Sequence, residues 1–330
     1  MNAEPPPSAP WWLPGPTGQT IWARLARSRR LVQFSREVLR TPDGDELMLD
    51  HLHGRSGATR VLLLHGLEGS AYSLHTQGLA ALVAGAGWSC TVLNFRSCAR
   101  DPADLSRRIP NLRPRLYHSG ETEDLALVVR TLALREPAAP LAAVGFSLGG
   151  NVLLKYLGET GTQTPIRAAA TLSVPYDLAA ASRFLERPGA RLYAHHFLRR
   201  LKPKALELLA RFPRETSHLD QARIRAARTF SEFDHVVTAP LHGFASAEDY
   251  YERASAIRYL ARVAVPTLCI SAEDDPFFPR EGLADARALA SASVQFQVTA
   301  WGGHTGFVSG RWPWRPRYWA EEMAVRWLRR

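Results

Sequence analysis

The chain has 330 residues, 46% of them hydrophobic, which is enough for a sizeable core and excludes disordered, collagen-like and disulfide-scaffold classes. Its formal charge of +10 comes almost wholly from arginine, since Lys155, Lys202 and Lys204 are its only lysines. Such a charge admits an anionic partner, but no helix-turn-helix, RNP or zinc pattern accompanies it, so nucleic acid is not an expected partner.

In chain order, the opening MNAEPPPSAPWW lacks a basic start and apolar core, and no apolar run reaches eighteen residues. The expectation is a soluble, cytoplasmic protein. Residues 1–30, with six prolines in the first twenty and the pair Trp11–Trp12, read as a flexible tail or an arm laid over the body. Residues 31–330 read as the main domain. There, FSREVLRTPDGDELMLDHLH alternates apolar and polar residues around Pro-Asp-Gly and predicts a β-hairpin. Short apolar runs then alternate with helical stretches, from RVLLLHG through WSCTVLNF and LAAVGF to IRAAATLSV. That rhythm predicts a mostly parallel sheet with helices on both faces. The cysteines Cys90, Cys98 and Cys269 are odd in number, so neither a disulfide framework nor a metal site is expected.

After SVPYDL the strand rhythm stops, and about 178–250 is helical in pattern, which predicts a cap or lid inserted into the sheet domain. Its residues 183–225 carry eleven Lys/Arg against four Asp/Glu. Two strand-like runs follow, VPTLCISAEDDPFF and VQFQVTAWGGHTGF, and the chain ends on RWPWRPRYWAEEMAVRWLRR.

Within this pattern, GFSLGG places Ser147 between an apolar strand and a helix, in the form G-x-S-x-G. A serine forced into such a turn needs glycines beside it to relieve crowding, and the turn aims its hydroxyl out of the sheet edge. A serine hydroxyl is a weak nucleophile without a base, so a histidine and an orienting carboxylate must follow. His304, in the glycine-flanked loop after VQFQVTAW, is the candidate base. The candidate acid is Asp275, favoured over its neighbour Asp274 because the following proline fixes the loop, with Asp177 a third choice. His65, His118, His235 and His242 are read as structural or substrate-shaping. The backbone N–H groups of Leu148, just after the serine, and Leu67, in HGLEGS, are the candidate oxyanion donors.

The motifs HGLEGS, NFRSC, YHSGETEDL, GFSLGGN, SVPYDL, DHVVTAPLHGFASAEDYY, DDPFF and GGHTGF stand in the order found in the α/β-hydrolase fold, and over about 40–325 the chain resembles its YheT-like, EMB8-like lipase/esterase branch. The resemblance implies Ser147, Asp275 and His304 as a catalytic triad and hydrolysis of carboxylic or lipid esters without a cofactor. Two departures stand out. Members usually show Arg-Gly-Cys where this chain has Arg96-Ser97-Cys98, and a basic stretch, DPADLSRRIPNLRPR, lengthens the loop that follows.

The leading expectation is a serine esterase acting through an acyl-enzyme on small-molecule or lipid esters. Acyl transfer to an acceptor other than water is open to the same residues. The rival readings are a phospholipid or glyceride lipase in peripheral contact with an anionic membrane, suggested by the basic lid and the Trp- and Arg-rich tail, and a non-catalytic binding protein of the same fold.

Overall fold

The computed structural model describes residues 8–330, so the first seven residues of the Pro-rich extension lie outside the described residues. The rest of that extension folds as an arm. Helix α1 (Pro16–Ala26) starts on a proline at its first position, where a missing N–H costs nothing. Trp12 packs on Trp22 with ring centroids 4.8 Å apart, folding the chain before the helix back onto it.

Strands β1 (Ser35–Arg40) and β2 (Glu46–Leu52) form the expected hairpin, with Val38 opposite Met48. The chain then alternates β3 (Arg60–Leu64), α2 (Leu74–Gly85), β4 (Ser89–Asn94), α3 (Glu123–Arg135), β5 (Leu141–Phe146), α4 (Leu148–Thr160) and β6 (Ile166–Leu172). Helices α5 (Leu178–Leu185), α6 (Arg191–Arg211), α7 (Gln221–Ala226), α8 (Phe230–Phe233), α9 (Ala239–His242) and α10 (Ala247–Ala254) follow, with a π-helical turn, Asp234–Thr238, between α8 and α9. The chain finishes with β7 (Thr267–Ala272), α11 (Glu281–Leu289), β8 (Val294–Thr299), the short ladder β9 (Val308–Ser309) and β10 (Arg317–Tyr318), and α12 (Trp319–Trp327).

The sheet order is β1-β2-β4-β3-β5-β6-β7-β8. Strand β2 runs antiparallel to both of its neighbours, β1 and β4, whereas β4, β3, β5, β6, β7 and β8 are parallel to one another. Strands β3 and β5 are buried along their whole length, as near-continuous apolar runs must be when helices cover both faces. One face packs on α3, α4 and α11 through Leu125, Leu153 and Leu283. The other packs on α2 and α12 through Leu79, Met323 and Trp327. The four tryptophans of the C-terminal stretch therefore divide. Trp319 and Trp327 belong to the core, whereas Trp312 and Trp314 are exposed.

The segment between β6 and β7 has an apolar cluster of its own, with Leu198, Leu201, Leu208, Ile224 and Phe233 packed together. All three cysteines are buried and free. Among the described residues no helix is long and apolar enough to cross a membrane.

Candidate active site

Strand β5 ends at Phe146 and α4 begins at Leu148, so Ser147 alone makes the turn, with φ 50° and ψ −118°. A residue with a Cβ is strained there, and two backbone bonds hold it. Ser147 N–H donates to Leu172 O at 2.8 Å, and Ser147 O accepts from Asn151 N at 3.1 Å. The flanking glycines are there for space. A Cβ on Gly145 would lie 2.5 Å from Gly149 O, and one on Gly149 would lie 2.5 Å from His65 O. Both obstacles are backbone and cannot swing aside.

Ser147 Oγ lies 3.0 Å from His304 Nε2. On the far side of the ring, Nδ1 is 2.9 Å from Asp275 Oδ2 and 3.2 Å from Oδ1, so a proton on Nδ1 leaves Nε2 free to accept from the serine. Asp275 Oδ1 also accepts from Phe277 N at 2.9 Å. Burial pushes the Asp275 carboxyl above its ordinary value, while His304 and the Phe277 N–H pull the other way. The adjacent Asp274 turns to a different task, accepting from Gly303 N at 2.8 Å and so pinning the histidine loop. Asp177 caps α5 by accepting from Ala180 N and does not face the ring. Phe277 stacks on His304 with centroids 3.9 Å apart and shields one face of the imidazole.

That histidine loop rests on the N-terminal arm. His304 N–H donates to Thr20 Oγ1 at 2.9 Å. Gln19 is buried; its Oε1 accepts from Val308 N at 2.7 Å and its Nε2 donates to Val308 O at 3.1 Å. A Cβ on Gly306 would lie 2.2 Å from Gln19 O, so loop and helix touch backbone to backbone.

The HGLEGS loop lies against the serine, since a Cβ on Gly66 would meet Ser147 Cβ at 3.4 Å. Leu67 and Leu148 both line the cavity above Ser147. Behind them His65 is fully buried, and burial pushes its imidazole down to about 4, so it is neutral. Its Nδ1–H donates to Gly66 O at 2.8 Å and its Nε2 accepts from Phe95 N at 3.1 Å, which ties the loop to the end of β4.

The cavity holds about 1000 Å³ of empty space including its mouth. Its walls are mainly apolar, with Leu185, Phe197, Leu201, Phe230 and Val237 from the inserted helices facing Phe277 and Phe278. Few polar groups interrupt them. Asp234, in the π-helical turn, bonds Thr238 and Tyr251, and burial raises its carboxyl to about 6. Lys204 of α6 reaches from the insertion to Glu68 of HGLEGS, forming a buried ion pair. Tyr117 OH donates to the same carboxylate at 3.1 Å, and Cys98 Sγ lies 3.4 Å from the ammonium.

The four histidines set aside by sequence divide in the structure. His235 is exposed, His65 braces the loop, and His118 and His242 line the cavity. His118, Glu121 and His242 have ligand-type atoms within 4.8 Å of one another. However, Gly120 N–H donates to His118 Nδ1, which leaves the proton on Nε2, and Arg115 occupies Glu121 at 2.7 Å. With His118 and Glu121 both committed to protein partners, the donor set does not suit a cation.

Sequence reasoning passed over several of these residues. Lys204 had a signal, being one of three lysines among many arginines, but was read only as part of a basic segment. Glu68 was hidden inside a motif valued for its backbone. Thr20 and Gln19 had no signal, because nothing local marks a helix that packs against a loop nearly 290 residues away. Arg96 of NFRSC is buried and holds Asp124 with both ends of its fork at 2.7 Å, and Asp45 at 2.7 Å. It thus joins the hairpin turn, the end of β4 and the start of α3.

Comparison with known proteins places these features in context. Residues 59–310 match the alpha/beta hydrolase fold family. The chain is 38% identical to the putative esterase YheT of Escherichia coli (strain K12) over 94% of its own length and 89% of that protein's. It is 34% identical to phospholipase ABHD3 of Mus musculus, covering 92% of this chain and 73% of that one. Among solved structures, an esterase of Pyrococcus furiosus aligns over 98% of this chain and 96% of its own with a TM-score of 0.56 at 16% identity. An esterase of Exiguobacterium antarcticum aligns over 90% and 100% with a TM-score of 0.55, also at 16% identity. At that identity the likeness is one of fold.

Proposed function

As the chain belongs to the alpha/beta hydrolase fold family, we propose that it is a serine hydrolase cleaving carboxylic esters of lipid type through an acyl-enzyme, with Ser147 as nucleophile, His304 as base and Asp275 as orienting carboxylate. The observation that carries this reading is the 3.0 Å approach of Ser147 Oγ to His304 Nε2 at the edge of a largely apolar cavity. Relatives named esterase and phospholipase support the reaction class.

In the first step His304 Nε2 takes the hydroxyl proton as Ser147 Oγ attacks the ester carbonyl. Asp275 keeps the ring in the tautomer that can accept, and stabilises the imidazolium that forms. The carbonyl oxygen, now negative, is held by the N–H groups of Leu67 and Leu148, aided by the positive end of α4. His304 then returns its proton to the departing alkoxide. Water enters, gives its proton to His304, and attacks the acyl carbon; collapse frees the acid and restores Ser147.

Lipid esters are the favoured substrates because the walls around Ser147 offer an acyl chain extensive apolar surface and few hydrogen-bonding groups to a polar one. The helical insertion, about 178–250, serves as the cap that supplies those walls. Replacing Ser147 with Ala is expected to abolish both labelling by a fluorophosphonate probe and hydrolysis of p-nitrophenyl esters, with the fold intact by circular dichroism. Retained hydrolysis would overturn the assignment. A series of acyl chains from short to long is expected to show rising kcat/KM as the cavity fills.

A further inference from the structure

Three segments distant in sequence come together on the outside of the molecule and share an unusual composition. Residues 8–34, 191–203 and 310–318 contain eleven Lys/Arg and no Asp or Glu. The same segments hold seven of the eleven large hydrophobic side chains that are exposed among the described residues. Neither excess is expected of an ordinary solvated face, which mixes both signs of charge and scatters its apolar groups singly.

The segments are in direct contact. Trp11 Nε1–H donates to Arg311 O at 3.2 Å, and Trp12 Nε1–H donates to Gly310 O at 3.1 Å, joining the arm to the loop before β10. Trp11 meets Trp312 edge-on at 6.3 Å, and Trp312 stacks on Trp314 at 5.2 Å. Tyr193 OH donates to Thr17 Oγ1 at 3.2 Å, and Arg24 donates to His196 Nε2 at 3.2 Å, joining α1 to α6. Despite these contacts Trp11 remains 72% exposed, Trp314 70%, Leu25 77% and Leu192 78%. Arg24, Arg29, Arg199, Arg200, Arg311 and Arg315 are exposed around them and form no ion pair with a described residue.

We propose that this face, built from the N-terminal arm, α1, the start of α6 and the loop 310–316, docks on an anionic lipid bilayer. Indole rings with one polar edge suit the headgroup boundary, and leucines add apolar area below it. Unpaired guanidinium groups match the negative potential of an acidic leaflet, each adding attraction that salt weakens. Solvent-facing tryptophans with no acid anywhere in the three segments fit that occupant better than a protein surface, where charges of both signs are the rule.

The proposal rests on the lipid-ester reading above, and it adds where the substrate comes from. Helix α6 has two sides. Phe197, Leu201 and Lys204 line the cavity, while Leu192, Arg199 and Arg200 face outward. Helix α1 likewise presents Ile21 and Leu25 outward and carries the His304 loop on Thr20. Docking would thus set the bilayer against the two helices that separate it from the catalytic groups, and give the ester a short route into the cavity.

The test is co-sedimentation of the full chain with vesicles of phosphatidylglycerol and phosphatidylcholine in equal parts, against phosphatidylcholine alone. Binding is expected to the acidic vesicles at low salt and to fall steeply at high salt. Replacing Trp11 and Trp314 together by Ala, and separately Arg199 and Arg200 by Glu, is expected to weaken partitioning by about tenfold or more. Both variants should turn over a short, soluble p-nitrophenyl ester within about twofold of the parent chain, which shows that they are folded. No binding at low salt, or equal binding to neutral vesicles, overturns the proposal, as does unchanged binding by both variants. Self-association removed by the same substitutions would assign the face to a second copy and equally overturn it. If binding behaves as expected but Ser147→Ala still hydrolyses esters, the hydrolase reading fails while the docking surface stands.

Discussion

Ser97, at the position where the family resemblance leads one to expect glycine, has a φ of 58°, in the region that disfavours any side chain. Its hydroxyl donates to Asn111 Oδ1 at 2.9 Å, and Asn111 lies in the lengthened basic loop. The two departures from the family pattern are therefore one feature. Left-handed backbone costs a non-glycine residue about 1–2 kcal/mol, and a buried hydrogen bond returns about 1 kcal/mol. Ser97→Gly should accordingly change stability by less than about 1 kcal/mol. Asn111→Ala should cost about 2 kcal/mol, because Asn111 Nδ2 also donates to Asp45 Oδ2 at 2.7 Å. In a denaturation cycle the second change should cost measurably less in the Ser97→Gly background, and strict additivity would show the two sites to be independent.

At the scale of elements, the buried pair between Lys204 and Glu68 joins the inserted α6 to the loop that carries Leu67. Breaking such a pair on one side leaves a charge without its counterion, which costs about 3–5 kcal/mol. Lys204→Met should therefore lower the unfolding midpoint and reduce kcat more than it raises KM, because Glu68 would pull its loop toward water and displace the Leu67 N–H. Adding Glu68→Gln should recover most of the stability. If Lys204→Met alone is neutral by thermal unfolding, the pair does not couple cap to loop.

Elements also set the limit of what was legible in advance. The hairpin, the alternating strands and helices and the glycine-crowded turn at Ser147 were readable because each is written in local periodicity or local sterics. The choice between Asp274 and Asp275 was only half readable. Adjacent residues diverge, and which one meets the ring depends on how the loop before Phe277 closes, which the Phe277 N–H bond to Asp275 decides. Lys204 was seen as one more charge on a basic helix because its partner lies 136 residues away. The C-terminal stretch reads in sequence as one Trp- and Arg-rich tail, yet its tryptophans serve two environments, and only the packing of α12 on α2 separates them.

For the whole molecule, the decisive arrangement is that the N-terminal segment takes the second of its two expected forms, an arm laid over the body, and carries the His304 loop on Thr20. Thr20→Val should leave the His304 N–H without its acceptor and lower kcat about tenfold with little change in KM, whereas Thr20→Ser, which keeps the oxygen, should retain activity. Equal activity in both variants, measured on a soluble ester, would show that the arm merely covers the loop. The contact between Thr20 and His304 spans 284 residues. A ribosome therefore makes one half of this support long before it makes the other. The first four parallel strands, β3 to β6, are complete by Leu172, long before β8 emerges, so much of the scaffold can assemble on a growing chain. With His304 as the proposed base, hydrolytic competence would arrive only when the His304 loop meets α1, and a nascent chain holding a folded sheet would stay a silent hydrolase until then.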